Sequence, residues 1–206
     1  MTKNNETGRS MIEMLGVLAI VGVLSVGGIA GYSKAMEKMK INRHLSHITE
    51  IVNAVQTTYI SQKNYSGLNC QIAHDVGIIP DEMWNNEASD CYNEWGDNIN
   101  VDGVHSVGHW GDYFYIQERD WSFSTADCVE IITKDWNVVK GKNSVVEICN
   151  DDGCFDWVSP VSIAEATSVC AKAIDNKELV LFFDVDITYG DWPEQIEECS
   201  LTNGGC

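Results

Sequence analysis

From Met14 to Tyr32 the chain runs nineteen residues without a formal charge. As a helix at about 1.5 Å per residue, this stretch rises about 28 Å, close to the roughly 30 Å hydrocarbon core of a bilayer. It contains Gly16, Gly22, Gly27, Gly28 and Gly31. Gly27 and Gly31 stand in the small-x-x-x-small spacing that lets membrane helices approach closely, and each glycine weakens the helix by about 1 kcal/mol. Past the apolar run, Ile41, Leu45, Ile48, Val52, Val55 and Tyr59 recur at steps of 4, 3, 4, 3 and 4. That is one face of a helix running to about Gln62. His44 and His47 lie on this helix three residues apart, where exposed polar side chains are expected. The pattern predicts one element of about fifty residues, spanning a bilayer with its first half and packing on a head with its amphipathic second half.

The rest, about 140 residues, is enough for one domain with its own core. Residues 64 to about 111 are rich in Asn, Asp and Gly with little periodicity, and read as a long, partly irregular connection. Tyr113, Phe114, Tyr115 and Ile116 then suggest a strand. Ser124 and Thr125 can cap a helix carrying Cys128, Val129, Ile131 and Ile132. Val145, Val146 and Ile148, then Asn150-Asp151-Asp152-Gly153, then Phe155, Trp157 and Val158 read as a hairpin. Residues 162–174 read as another helix and Leu179-Val180-Leu181-Phe182-Phe183 as a buried strand. Strand, helix, hairpin, helix, strand implies an α+β domain with an antiparallel sheet.

Charge is divided unevenly. The first 43 residues hold six of the 13 basic residues and three of the 31 acidic ones, which leaves 7 basic against 28 acidic beyond Arg43, a net of −21. So acidic a head has no basic patch for nucleic-acid phosphates, which require clustered Lys and Arg. A solvated acidic surface is the plain reading, and calcium the sharper alternative. Neither the segment from Asp184 to Gly190 nor that from Asn98 to His109 fits the helix–loop–helix calcium pattern. The first lacks glycine at its sixth place and neither ends in Glu.

All eight cysteines (Cys70, Cys91, Cys128, Cys149, Cys154, Cys170, Cys199, Cys206) follow the apolar helix. An even count on one side of a membrane segment reads as disulfides in an oxidising compartment, and no Cys-x-x-Cys suggests zinc. Eight cysteines allow 105 pairings. Turn chemistry favours Cys149 with Cys154 across the hairpin mouth. The positive-inside rule, applied to Lys34, Lys38, Lys40 and Arg43 against Lys3 and Arg9, would keep the head in the cytoplasm. The cysteines argue the reverse and outweigh a statistical rule.

Signs of catalysis are few. His105 and His109 stand four apart without the glutamate of the zinc-protease motif, and could hold a metal only with Asp102 or Asp112. No Gly-x-Ser-x-Gly, phosphate loop or dinucleotide fingerprint occurs. No cofactor is called for, and the chain reads as a non-enzyme. Trp84, Trp95, Trp110, Trp121, Trp136, Trp157 and Trp192 are expected mostly in core or interface, with a surface subset able to stack on sugars.

The residues before the apolar run carry the sharpest motif. Gly8-Arg9-Ser10-Met11-Ile12-Glu13 places a carboxylate at the mouth of the helix, where an ionisable group is costly and usually partnered. Glycine, then four residues, then glutamate and a long apolar helix resembles the processing site of type IV pilins and pseudopilins. The resemblance implies cleavage after Gly8 by a prepilin peptidase and methylation of the new terminus at Arg9, a position usually held by a large apolar residue. It makes Glu13 the fifth residue of the mature chain and its assembly residue, paired with the amino terminus of a neighbouring subunit, with the Arg9 side chain able to share that duty.

The head resembles type IVb pilins, in which a helix with one cysteine is followed by a helix that brings a second just before a core strand. Asp127-Cys128-Val129-Glu130-Ile131-Ile132 and Val169-Cys170, followed by Leu179 to Phe183, match those segments. On that resemblance Cys128 pairs with Cys170, and the four cysteines left pair most simply as neighbours, Cys70–Cys91 and Cys199–Cys206. The implied organisation is a leader at 1–8, a transmembrane and polymerisation half-helix at 9–31, an amphipathic half at 32–63 and a pilin head at 64–206. The implied partners are the prepilin peptidase, further copies or related pilins, the inner-membrane assembly platform and the bilayer. The expected product is a single-pass inner-membrane subunit, head outside the cytoplasm, polymerised into a fibre for adhesion, motility, uptake or secretion. The alternative is an uncleaved, membrane-anchored binding or adhesin domain that never polymerises.

Overall fold

The uncharged run and the ladder beyond it form one helix, α1 (Met11–Tyr59). A computed structural model of the chain describes residues 11–62, 64–105, 112–136, 143–150, 153–173 and 177–185. The chain divides into two units, Met1–Asn42 and Arg43–Cys206. In the first, the α1 side chains from Met11 to Tyr32 are exposed all round the helix, and the segment is long and apolar enough to cross a membrane. Ser25 and Ser33 donate their hydroxyls to the carbonyls of Val21 and Ile29 (2.7 and 3.1 Å), so neither polar group would enter lipid unpaired.

The second unit is built on a seven-stranded sheet. Its strands are β1 (Trp84–Asn85), β2 (Asp90–Tyr92), β3 (Asn98–His105), β4 (Asp112–Arg119), β5 (Asn143–Asn150), β6 (Gly153–Val158) and β7 (Glu178–Val185). They lie in the order β1-β2-β3-β4-β7-β5-β6, and every neighbouring pair is antiparallel. The helices are α2 (Cys70–Asp75), α3 (Thr125–Thr133) and α4 (Ile163–Lys172). This is an α+β fold, stapled by disulfides.

Local chemistry explains the boundaries. Ser124 and Asp127 form a reciprocal capping box that starts α3. Ser162 accepts from the Glu165 N–H to start α4, and β5 and β6 pair from Asn150 opposite Gly153, which takes φ 124°. The region read as an irregular connection is a correction: it holds α2, a 3-10 turn at Asp81–Met83, β1, β2 and β3. In β3 only Ile99 and Val101 are buried, between half-exposed Asn98, Asn100 and Asp102, and Gly103 breaks the alternation before half-exposed Val104, so the strand is only weakly marked in the sequence.

The sheet has two unlike faces. Phe114 on β4 stacks on Phe183 of β7 (5.1 Å) and meets the Tyr65 ring (4.8 Å), which in turn meets Tyr59 of α1 (5.8 Å). Trp136, following α3, stands edge-on to Phe183 (6.3 Å). On the opposite face Val145, Val180 and Phe182 are buried with Tyr113 and Tyr115 against them. Asp184 lies at φ 65°, and its carboxylate accepts from Tyr65 Oη and, at 3.4 Å, from Gln56 of α1.

Gly103 is in a strand for a steric reason. The chain from Tyr65 to Leu68 passes directly over β3, and the Gly103 N–H donates to the Leu68 carbonyl at 3.3 Å. A Cβ at 103 would land on the Tyr65 backbone oxygen, which is backbone and cannot swing aside. Gly103→Ala is therefore expected to cost about 3 kcal/mol by overpacking and to lower the melting temperature on the order of 10 °C. Circular-dichroism melting in detergent checks this, and an unchanged melt would contradict the crossing.

Candidate functional site

Glu13 sits in the first turn of α1, where the positive end of the helix dipole favours a carboxylate. The surface beyond it is almost wholly apolar: Leu15, Leu18, Val23, Leu24, Val26 and Ile29 are each more than 60% exposed. Nothing approaches within 4 Å of the Cβ positions of Gly27 or Gly31. Such a surface is stable only when covered by lipid or by other apolar helices. Gly8 and Arg9 lie outside the described residues.

In the head, disulfides join Cys70 of α2 to Cys91 of β2, Cys128 of α3 to Cys170 of α4, and Cys149 to Cys154 across the β5–β6 hairpin. Cys199 and Cys206 lie outside the described residues. Trp121 and Trp136 are buried, Trp84, Trp95 and Trp157 are partly exposed, and Trp110 and Trp192 are outside the described residues. Phe155 and Trp157 stack at 6.3 Å on the edge strand β6.

The histidines of α1 are a correction. His44 is 0% and His47 is 7% exposed. They face three carboxylates: His44 Nδ1 lies 2.8 Å from Glu94 Oε2, and His44 Nε2 lies 2.7 Å from Glu118 Oε1, off the ideal N–H direction. One turn on, His47 Nδ1 lies 2.5 Å from Glu94 Oε1 and Nε2 lies 2.6 Å from Glu82 Oε1. The result is an alternating chain, Glu118–His44–Glu94–His47–Glu82, running from the interior to a half-exposed end.

Each member is held by a different element. Glu118 is on β4 and Glu82 in the 3-10 turn. Glu94 is presented by a tight turn, in which Asn93 Oδ1 accepts the N–H groups of Trp95 and Asp97 (both 2.9 Å) and Gly96 takes φ 87°. Asn93 also donates to Glu118 Oε2 at 2.8 Å, and the Trp95 ring meets the His44 ring edge-on at 5.3 Å. Burial alone would push the His44 imidazole down, but Glu118 and Glu94 together outweigh it and raise it from 6.5 to about 10. Glu94 is also buried, which would raise it, yet the bond to His44 holds its carboxyl below the usual range.

The sequence held a signal for this. Val55, Ile51 and His47 are spaced by four, as are Val52, Ile48 and His44, so both histidines share the buried stripe. Leu45, taken as part of that stripe, is only half-buried. Its carbonyl accepts from Lys134 Nζ at 3.0 Å, and Thr49 Oγ1 accepts from the same ammonium at 2.7 Å. Burial pushes that lysine down.

The other ionisable candidates are less concentrated. His105 pairs with Asp112 at the exposed end of the β3–β4 pair, and His109 is outside the described residues. Asn98–His105 is strand β3, and residues 106–109 of that segment lie outside the described residues. Glu147 and Asp156 sit opposite each other on β5 and β6; burial first, and the neighbouring carboxylate second, push Glu147 up to about 8. Among the described residues, Glu147, Cys149 and Cys154 alone bring three donor atoms together at metal-like spacing. Both sulfurs there are in a disulfide, so the group offers no thiolate ligand.

Comparison with known proteins follows this geometry. The protein family described as Bundlin matches residues 33–183. The chain is 27% identical over 191 residues to the "Major structural subunit of bundle-forming pilus" of Escherichia coli O127:H6 (strain E2348/69 / EPEC), covering 89% of this chain and 96% of that protein. It is 26% identical over 191 residues to the protein of the same description from Escherichia coli O111:H-, with the same coverage.

Proposed function

This chain belongs to the Bundlin family of type IV pilins, and we propose on that footing that it is a structural subunit polymerised into a type IV pilus fibre. One observation carries the reading beyond family membership: an apolar helical surface from Met11 to Tyr32, exposed all round, with a single carboxylate in its first turn. A bilayer covers such a helix before assembly, and copies of the same helix cover it afterwards. The chain is thus anchored in a membrane and then carried into an extracellular fibre, with the acidic head as the outer surface.

Finer points rest on the leader motif. The leader is residues 1–8, cut after Gly8 by a prepilin peptidase, with Arg9 becoming the methylated first residue. The bilayer half of the helix is 9–31, its amphipathic half 32–63, and the head 64–206. The precursor resides in the inner membrane with its head outside the cytoplasm, is extracted by the assembly platform, and pairs Glu13 with the amino terminus of its neighbour. Its work is structural, and the reading assigns no catalytic residue and no cofactor.

Gly8→Val tests the processing step, because a branched side chain beside the scissile bond is expected to exclude the peptidase. The expected outcome is a precursor that keeps residues 1–8 and yields no surface fibres. The same mature mass from wild type and variant would remove the assignment.

A further inference from the structure

Each nitrogen of the buried His44 ring lies within 2.8 Å of a carboxylate oxygen from a different residue. A neutral imidazole has one N–H and one lone pair. It would therefore leave a bare nitrogen beside an anionic oxygen on one side or the other. Only the doubly protonated ring carries positive hydrogen on both sides. We propose that His44 is folded into the head as an imidazolium, and that the chain Glu118–His44–Glu94–His47–Glu82 is an ionic lock fastening the α1 segment from Arg43 onward to the head.

A metal ion does not suit these residues. The donor atoms of His44, His47 and the three glutamates do not converge within 4.8 Å of one another, unlike those of the group around Glu147. Nitrogen and oxygen instead alternate at 2.5–2.8 Å, which is the spacing of charge-assisted proton sharing. The lock draws on three separate parts of the head: β4 through Glu118, the 93–97 turn through Glu94, and the 3-10 turn through Glu82. Arg43, at 3.9 Å from Glu82, extends it to the surface. Asn93, Trp95 and Phe123 are the uncharged groups around His44 and Glu118. A buried pair of this kind adds register rather than raw stability, because an apolar replacement can be as stable while a half-removed pair is not.

The pH dependence has a definite sign. His44 is raised, so its contribution is complete below its ordinary value of 6.5 and is lost as pH rises through about 10. Glu94 is lowered, so its contribution is present above its ordinary 4.5 and is lost as pH falls through its folded value. Glu147, raised to about 8, also makes stability fall with rising pH. Melting curves alone therefore cannot isolate the lock, and the ring itself must be observed.

The test is a titration of 15N-labelled histidine rings in the full chain in detergent micelles. At pH 8.5 a histidine of ordinary affinity keeps about one per cent of its proton. At least one ring should remain doubly protonated there, and His44→Gln should remove that ring's signal. Glu118→Gln should lower that ring's proton affinity at least tenfold and, at constant pH, speed amide exchange in 44–59 at least tenfold, leaving α3 and α4 unchanged. Five rings all neutral at pH 8.5 would overturn the proposal, as would a Glu118→Gln chain with unaltered titration or exchange. Should Glu118→Gln fail to fold, the wild-type titration alone decides.

Discussion

With alanine at Glu13, surface fibres are expected to fall to about one-hundredth of the wild-type amount while the chain still accumulates in the membrane. Insertion does not need the carboxylate, since an ionisable group near the mouth of an apolar helix opposes partition into lipid. Assembly does need it on this account. When copies of the apolar helix pack together, the first turn of α1 enters a bundle from which water is excluded, and the charge on each new amino terminus must be matched there. Removing one partner of a buried pair costs about 3–5 kcal/mol because the other is left uncompensated, and about 2.8 kcal/mol is already a hundredfold in an association constant. Glu13→Asp, which keeps the charge on a shorter stem, should restore part of the fibre yield. Immunoblots of sheared and membrane fractions read both quantities, and normal fibres from the alanine variant would show that Glu13 has no role in assembly.

The second large effect is on the head. Cys128 and Cys170 join α3 to α4 across 42 residues of sequence, while Cys149 and Cys154 close a separation of 5. In the chain-entropy picture the longer loop contributes about 4 kcal/mol and the shorter about 2. Packing widens the gap, because Cys128 and Cys170 are buried and serine there would place two hydroxyls in the core. Cys149 is half-exposed and Cys154 exposed. Replacing Cys128 and Cys170 together by serine should lower the melting temperature of the full chain by roughly 10–15 °C, and the hairpin pair by less than half of that. Equal shifts would mean that the α3–α4 bridge has no special weight.

Much of this was legible because local rules and global fold agree. The Ser124–Asp127 box, the Ser162 cap and Gly153, at φ 124° where β6 starts, each act within a few residues, and each marks its element in the sequence. The hidden parts depend on partners far along the chain. Strand β7 lies between β4 and β5, an order that no local pattern encodes. Gly103 reads as a turn residue, yet it is glycine because Tyr65 crosses above it. Glu118 follows Phe114 and Ile116 on the core-facing side of β4, and a carboxylate is 2% exposed there only because His44, 74 residues earlier, supplies a cation. His44 stands beside an apolar ladder, where a histidine is usually solvated, yet stepping back by fours from Val52 places it on the buried face. The Gly8–Glu13 spacing is the opposite case: it is plain in the sequence, as a signal proposed to be read by a peptidase before the fold exists would have to be.

The central claim is that this chain is cut and polymerised, and intact-mass measurement on fibres sheared from the cell surface tests it most directly. The account predicts that the fibre subunit is this chain beginning at Arg9, without residues 1–8 and with one added methyl group. A chain that retains residues 1–8, stays in the membrane and is absent from the sheared fibres would contradict it.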